Sequence, residues 1–266
     1  MTTVYGDLVR YRELFGNLFR RDVQAKYRGS ILGLAWTLAN PVLLMAVYLL
    51  VFSVLWNTPF GREGHYGLFL LVGLSAWIFF AASVQSASRS MLDNANLIRK
   101  TRFPRQLVPL SVVATHLISF AVMLVVLLAL NFALLPRVRG TEWLAVPLAV
   151  AVVAITGGLA LAIASLNVLF RDVEFLVAAL LLPLFFLTPV LYPLSDPQIA
   201  RRDWVVHVIH WGNPLAPTIE ALRDPLFYGR LPGLGDTIYT VVAALAALAL
   251  GAWVFTRVDD QIAVEV

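Results

Sequence analysis

Cysteine is absent from these 266 residues and charge is scarce: 14% of them are Asp, Glu, Lys or Arg, against 60% hydrophobic. The first absence excludes disulfides, thiolate-bound zinc and thiol catalysis. The second excludes an ordinary water-soluble globule, in which about 25% of residues are charged. Lysine occurs only at Lys26, after Ala25, and at Lys100, after Arg99. Without a Gly-Lys-Ser/Thr sequence the chain cannot by itself be a P-loop ATPase. No Asp-x-Asp pair suits metal-dependent sugar transfer; Asp172 and Glu174 are the one close acidic pair at an expected cytoplasmic turn, and Asp259-Asp260 reads as a solvated helix end. His65, His116, His207 and His210 are too scattered to predict a metal site, and His116, inside an apolar run, reads as a packed or hydrogen-bonded neutral side chain, a role in the pathway being the alternative. The apolar runs contain no buried carboxylate of the kind that ion-coupled carriers use. No catalytic residue, metal ligand or cofactor is expected in this chain.

What the sequence does have is long apolar runs, at 33–56, 68–88, 106–136, 143–170, 175–194 and 236–256. At about 1.5 Å per residue the first reaches roughly 36 Å, enough for a hydrocarbon core of roughly 30 Å. We expect an all-α polytopic membrane protein, a single six-span membrane domain over 1–266 with both termini on one side. That side receives thirteen of the twenty Lys and Arg residues, so it is expected to be cytoplasmic. The first 30 residues lack the apolar core and cleavage site of a signal peptide, and span one is expected to act as the insertion signal.

Between 7 and 32, Tyr11, Leu14, Phe15, Leu18, Phe19 and Val23 recur at helical spacing opposite Arg12, Arg20, Arg21 and Gln24, which predicts an amphipathic helix in the headgroup plane. Pro183 and Pro189 should kink or break span five near its outer end. Ala154 and Gly158, and Ala243, Ala247 and Gly251, form small-residue faces that allow close helix pairing, within or between subunits. The external segment 195–231 predicts two short amphipathic helices split by Asn213-Pro214.

The stretch Lys26-Tyr27-Arg28-Gly29-Ser30-Ile31-Leu32-Gly33-Leu34-Ala35-Trp36, followed by Asn40-Pro41, resembles the start of the ABC-2-type permeases that export polysaccharides and teichoic acids. Asn94 to Lys100 with Phe103-Pro104-Arg105 resembles the family's cytoplasmic helix after span two. Leu166 to Val173 resembles its turn between spans four and five. Thr188-Pro189-Val190-Leu191-Tyr192-Pro193 and Asn213-Pro214-Leu215-Ala216-Pro217, with Glu220, Arg223 and Asp224, continue the likeness in order over nearly the whole chain.

The resemblance implies a homodimer in the bacterial inner membrane, paired with two copies of a cytoplasmic ATPase that binds the ATP and Mg. It implies passage of a polysaccharide on an undecaprenyl pyrophosphate type carrier, with membrane lipid as the other contact and no nucleic acid. The 91–104 helix, through Asn94, Asn96, Leu97, Ile98, Arg99, Lys100, Arg102 and Phe103, would dock on the ATPase. Asn213, Pro214, Glu220, Arg223 and Asp224 would belong to an external gate.

Physical chemistry adds two groups. Arg21, Lys26 and Arg28, beside Leu32 and Gly33, place cations where a pyrophosphate would arrive, although attraction to anionic lipid is also open to them. Trp36, Tyr48, Phe52, Trp56, Trp77, Phe80, Phe185, Phe186 and Tyr192 could stack on the C–H faces of sugars, although rings near span ends also serve as interfacial anchors. A teichoic acid, a drug or lipid cargo, and a multispan glycosyltransferase are the alternatives.

Overall fold

The structure is a computed structural model and describes residues 4–29, 33–51, 66–100, 103–134, 140–194 and 203–265. Every regular element among them is helical. Two amino-terminal helices, α1 (Gly6–Arg10) and α2 (Arg12–Tyr27), precede a 3₁₀ turn at Gly33–Ala35 and α3 (Trp36–Leu49). The bundle continues with α4 (Tyr66–Asp93), the short α5 (Ala95–Lys100), α6 (Leu107–Leu134), α7 (Ala145–Leu169) and α8 (Val173–Leu187). Two short helices, α9 (Asp203–Gly212) and α10 (Leu215–Arg223), lead through a π turn at Asp224–Tyr228 to α11 (Leu234–Glu265).

Four helices are long and apolar enough to cross a membrane, over Tyr66–Asp93, Leu107–Ala133, Glu142–Leu169 and Leu234–Ile262. The chain is thus a multi-pass membrane protein. The expected spans at 33–56 and 175–194 coincide with shorter apolar helices, Ala39–Leu49 and Val173–Leu187. Residues 52–65 lie outside the described part.

α4 is the axis of the bundle, packed on by α3, α6, α7, α8 and α10. Its Leu70, Val72, Leu74 and Ala76 are almost wholly buried, as expected of a helix that is apolar all round. The small-residue faces meet inside one chain: a Cβ on Gly158 would strike the Ala247 backbone, and one on Gly251 the Gly158 carbonyl. α7 and α11 therefore touch backbone to backbone, so Gly is required at both positions.

α8 starts and stops for local reasons. The Asn167 side chain, on α7, accepts from the Glu174 amide at 2.9 Å, satisfying one of the free amides of the first turn of α8. Arg89 at the end of α4 pairs with Glu174 at 3.2 Å. Pro183 is accommodated within the helix, and Thr188, extended in front of Pro189, ends it.

At the end of the bundle where α8 begins, α1 and α2 are pinned by buried polar contacts. Gln106 donates to Asp7 at 2.7 Å and to the Val4 carbonyl at 3.3 Å, and the Tyr5 hydroxyl donates to the Leu248 carbonyl at 2.8 Å. Leu18 packs with Leu107 and Val108, while Arg12, Arg20 and Arg21 are exposed.

Candidate functional site

The aromatic residues converge on a groove of about 430 Å³ between α3, α4 and α8, lined by Tyr48, Trp77 and Phe185 among Leu44, Leu74 and Leu181. Phe185 is the hub, with ring centroids 6.0 Å from Tyr48, 5.4 Å from Trp77 and 5.3 Å from Phe186. Phe80 joins through Trp77 at 5.8 Å. Tyr192 donates its hydroxyl to the Phe186 carbonyl at 2.9 Å. Trp36 is not part of this set and lines a separate cavity with Lys26 and Asn40; Phe52 and Trp56 lie outside the described residues. Such a wall offers many weak, orientation-tolerant contacts, which suits a sliding polymer better than one tight site.

The cations expected at the membrane approach are split. Arg21 and Arg28 border an open groove with Gln24, Gly33 and Ile118, and Arg21 is paired with Asp22 at 2.7 Å. Asp22 also accepts from Ser111 on α6 at 2.8 Å, which ties α2 down. Lys26 turns the other way, with its Nζ 3.2 Å from His116 Nδ1. His116 Nε2 lies 3.1 Å from Ser86 Oγ on α4. An ammonium can only donate, so Nδ1 accepts and the ring proton sits on Nε2, facing Ser86. Partial desolvation pushes the Lys26 ammonium below its usual pKa. A cavity of about 240 Å³, towards Trp36, Asn40 and Phe120, and one of about 330 Å³, towards Asp22, Asp93 and Asn94, meet at this pair. Leu32 lies outside the described residues.

The expected 91–104 helix consists of the last turn of α4 followed by α5. Asn94 marks the break, donating its amide to the Ser90 carbonyl at 2.8 Å. Ile98 is buried with Met91, Val254 and Phe255; Leu97 and Phe103 pack beside Leu107. Asn96, Arg99 and Lys100 are left exposed, and Arg102 lies outside the described residues. α5 thus carries a greasy root and a basic outer face.

Two short helices, α9 and α10, form around the expected break. The Asn213 side chain accepts from the Leu215 amide at 3.0 Å, starting α10, and donates to Thr188 at 2.7 Å. Leu215, Ile219 and Leu222 of α10 are buried against α4, α7 and α11. Pro214 precedes the first turn of α10. Asp224 holds Arg230 at 2.7 Å and accepts from the Gly233 amide at 3.2 Å. Arg223 is fully buried and paired with Glu220 at 3.0 Å.

Compared with known proteins, residues 13–227 match the ABC-2 type transporter family. The chain belongs to that family. Among curated relatives of this ABC-2 protein, an O-antigen export system permease protein RfbA of Myxococcus xanthus is 34% identical over 268 residues, 99% of each chain. Two proteins of the same description from Klebsiella pneumoniae are each 32% identical, over 213 and 215 residues and 79% of each chain. By that kinship the ABC-2 chain is a transport subunit, and no enzymatic step is assigned to it.

Sequence reasoning missed the pairing of Lys26 with His116, the Asn167 cap and the burial of Arg223. Hydrophobic periodicity assigns faces to a helix, but it does not say which neighbour a long polar side chain will reach.

Proposed function

We propose that this chain is the membrane half of an exporter that moves an O-antigen type polysaccharide, linked to an undecaprenyl pyrophosphate type carrier, across the bacterial inner membrane. The observation that carries the reading is likeness over 99% of the chain to an O-antigen export permease. The groove around Phe185 supports it chemically. In this reading α3 and α8 are spans one and five of six, both termini are cytoplasmic, and α2 lies at the inner interface. Two copies pair with two ATPase subunits, which bind the ATP and Mg. Arg21, Lys26 and Arg28 draw the carrier's phosphates to the membrane approach, the aromatic wall passes the sugars, and the 195–231 region borders the exit.

Co-reconstitution of the chain and its ATPase in proteoliposomes tests this directly. ATP should bring the lipid-linked glycan within reach of a glycosidase on the far side; a glycan that stays protected while ATP is consumed sinks the reading. In the same assay Arg99→Glu should leave a folded complex whose ATP hydrolysis no longer drives export, with at least a tenfold loss of coupling on the order expected for a reversed charge at an interface. Unimpaired export would remove α5 from the docking surface.

A pH series separates Lys26 from general lipid attraction. Because partial desolvation lowers its pKa, the ammonium loses its proton at lower pH than a fully solvated lysine, and affinity for a lipid pyrophosphate should fall over that alkaline range. Lys26→Arg should flatten the profile, since a guanidinium keeps its charge. A profile unchanged by Lys26→Arg would show that Lys26 does not hold the phosphates.

A further inference from the structure

Pro189 ends α8 and leaves the carbonyls of the following turn without helical partners, yet Val190 and Leu191 are buried. Donors from other elements reach them. Arg223 Nη1 donates to the Pro189 carbonyl at 2.5 Å and Nη2 to the Val190 carbonyl at 2.7 Å, while the Tyr66 hydroxyl takes the Leu191 carbonyl at 2.7 Å. The guanidinium carbon lies 3.6 Å from the centre of the Phe69 ring. Room for it depends on Gly73, where a Cβ would stand 2.6 Å from Nη2. A planar fork can serve two successive carbonyls in one geometry, which a lysine cannot.

We propose that Arg223 is a positioning residue of the transport path: by gripping the Pro189 and Val190 carbonyls it fixes the outer end of α8, and so the placement of Phe185, Phe186 and Tyr192. The transport part of this inference rests on the function proposed above; the structural part does not. A buried charge retained only for packing would be replaceable, because a neutral apolar substitute of similar volume is often as stable. Arg223 differs in that the two carbonyls it holds have no other donor within α8.

The test is the double variant Glu220→Gln with Arg223→Met, which keeps the volume and leaves no unpaired charge. It is studied as the complete complex with the ATPase in lipid nanodiscs. Hydrogen–deuterium exchange of the 188–194 peptide should quicken about tenfold or more, as expected for two lost charge-assisted bonds, while α7 and α11 peptides stay protected. Export of long chains should drop about tenfold. Unchanged exchange, or faster exchange with normal export, overturns the proposal. Should the double variant fail to assemble, Arg223→Lys keeps a charge beside Glu220 but not the fork that serves both carbonyls; it must loosen the same peptide, and a peptide that remains protected overturns the proposal equally. If the unmodified complex exports no glycan, the function proposed above fails, and the exchange result still decides whether Arg223 holds the turn.

Discussion

Gly158→Val should abolish accumulation of folded protein. The new side chain would meet the Ala247 backbone on α11, and Gly251 in turn already faces the Gly158 carbonyl, so neither helix can yield without separating from the other. Loss of that contact should cost about 4 kcal/mol or more, the range of severe core disruptions. Gly157→Ala, one residue away, meets nothing nearer than Leu110 at 3.9 Å and should change stability by no more than about 1 kcal/mol. Fluorescence-detected size exclusion after a heat series reads both variants. Equal behaviour of the two would mean that α7 and α11 do not pack backbone to backbone.

The second large effect is expected at the aromatic cluster, where two neighbouring phenylalanines should separate stability from transport. Phe185 is 5% exposed and touches three other rings, so Phe185→Ala should destabilise by about 3–5 kcal/mol and lower the yield of complex. Phe186 is 57% exposed, and Phe186→Ala should cost under about 1 kcal/mol. Its loss should nonetheless slow long-chain export severalfold, because one stacking surface worth about 0.5–1.5 kcal/mol is missing at each sugar that passes. Initial export rates in proteoliposomes, normalised to assembled complex, provide the measurement. A wild-type rate for Phe186→Ala would place that ring off the path.

The long helices were legible because an uncharged run of sufficient length has few alternatives to crossing a membrane. The pairing of α7 with α11 was legible as a capacity for close approach, but the choice between one chain and two required the third dimension. Asn213-Pro214 announced its break through turn chemistry that acts within a few residues. By contrast, nothing in the sequence around Lys26 points to its partner. On α2 the four-carbon stem of Lys26 carries its ammonium to α6 and a histidine ninety residues away. Arg223 was assigned to a gate by resemblance, and its full burial was not legible. Its carbonyl partners exist only because Pro189 interrupts α8, a dependence that no local pattern expresses. The aromatic set was legible as composition, and Trp36 parted from it because a residue three turns before Tyr48 on α3 meets different neighbours.

The brevity of α8 has a consequence for the lipid itself. Its 15 residues measure about 22 Å at 1.5 Å per residue, against a hydrocarbon core of roughly 30 Å. If α8 is span five, as proposed above, then wherever its exposed Phe175, Leu176, Leu180 and Leu182 meet acyl chains the two leaflets must draw together to cover them, at a cost of fractions of a kcal/mol per Å. Such a dimple shortens the apolar distance beside the groove for any polar group that has to pass there. Bilayers of longer-chained lipid would then resist the deformation and slow the protein, without any change to a single side chain.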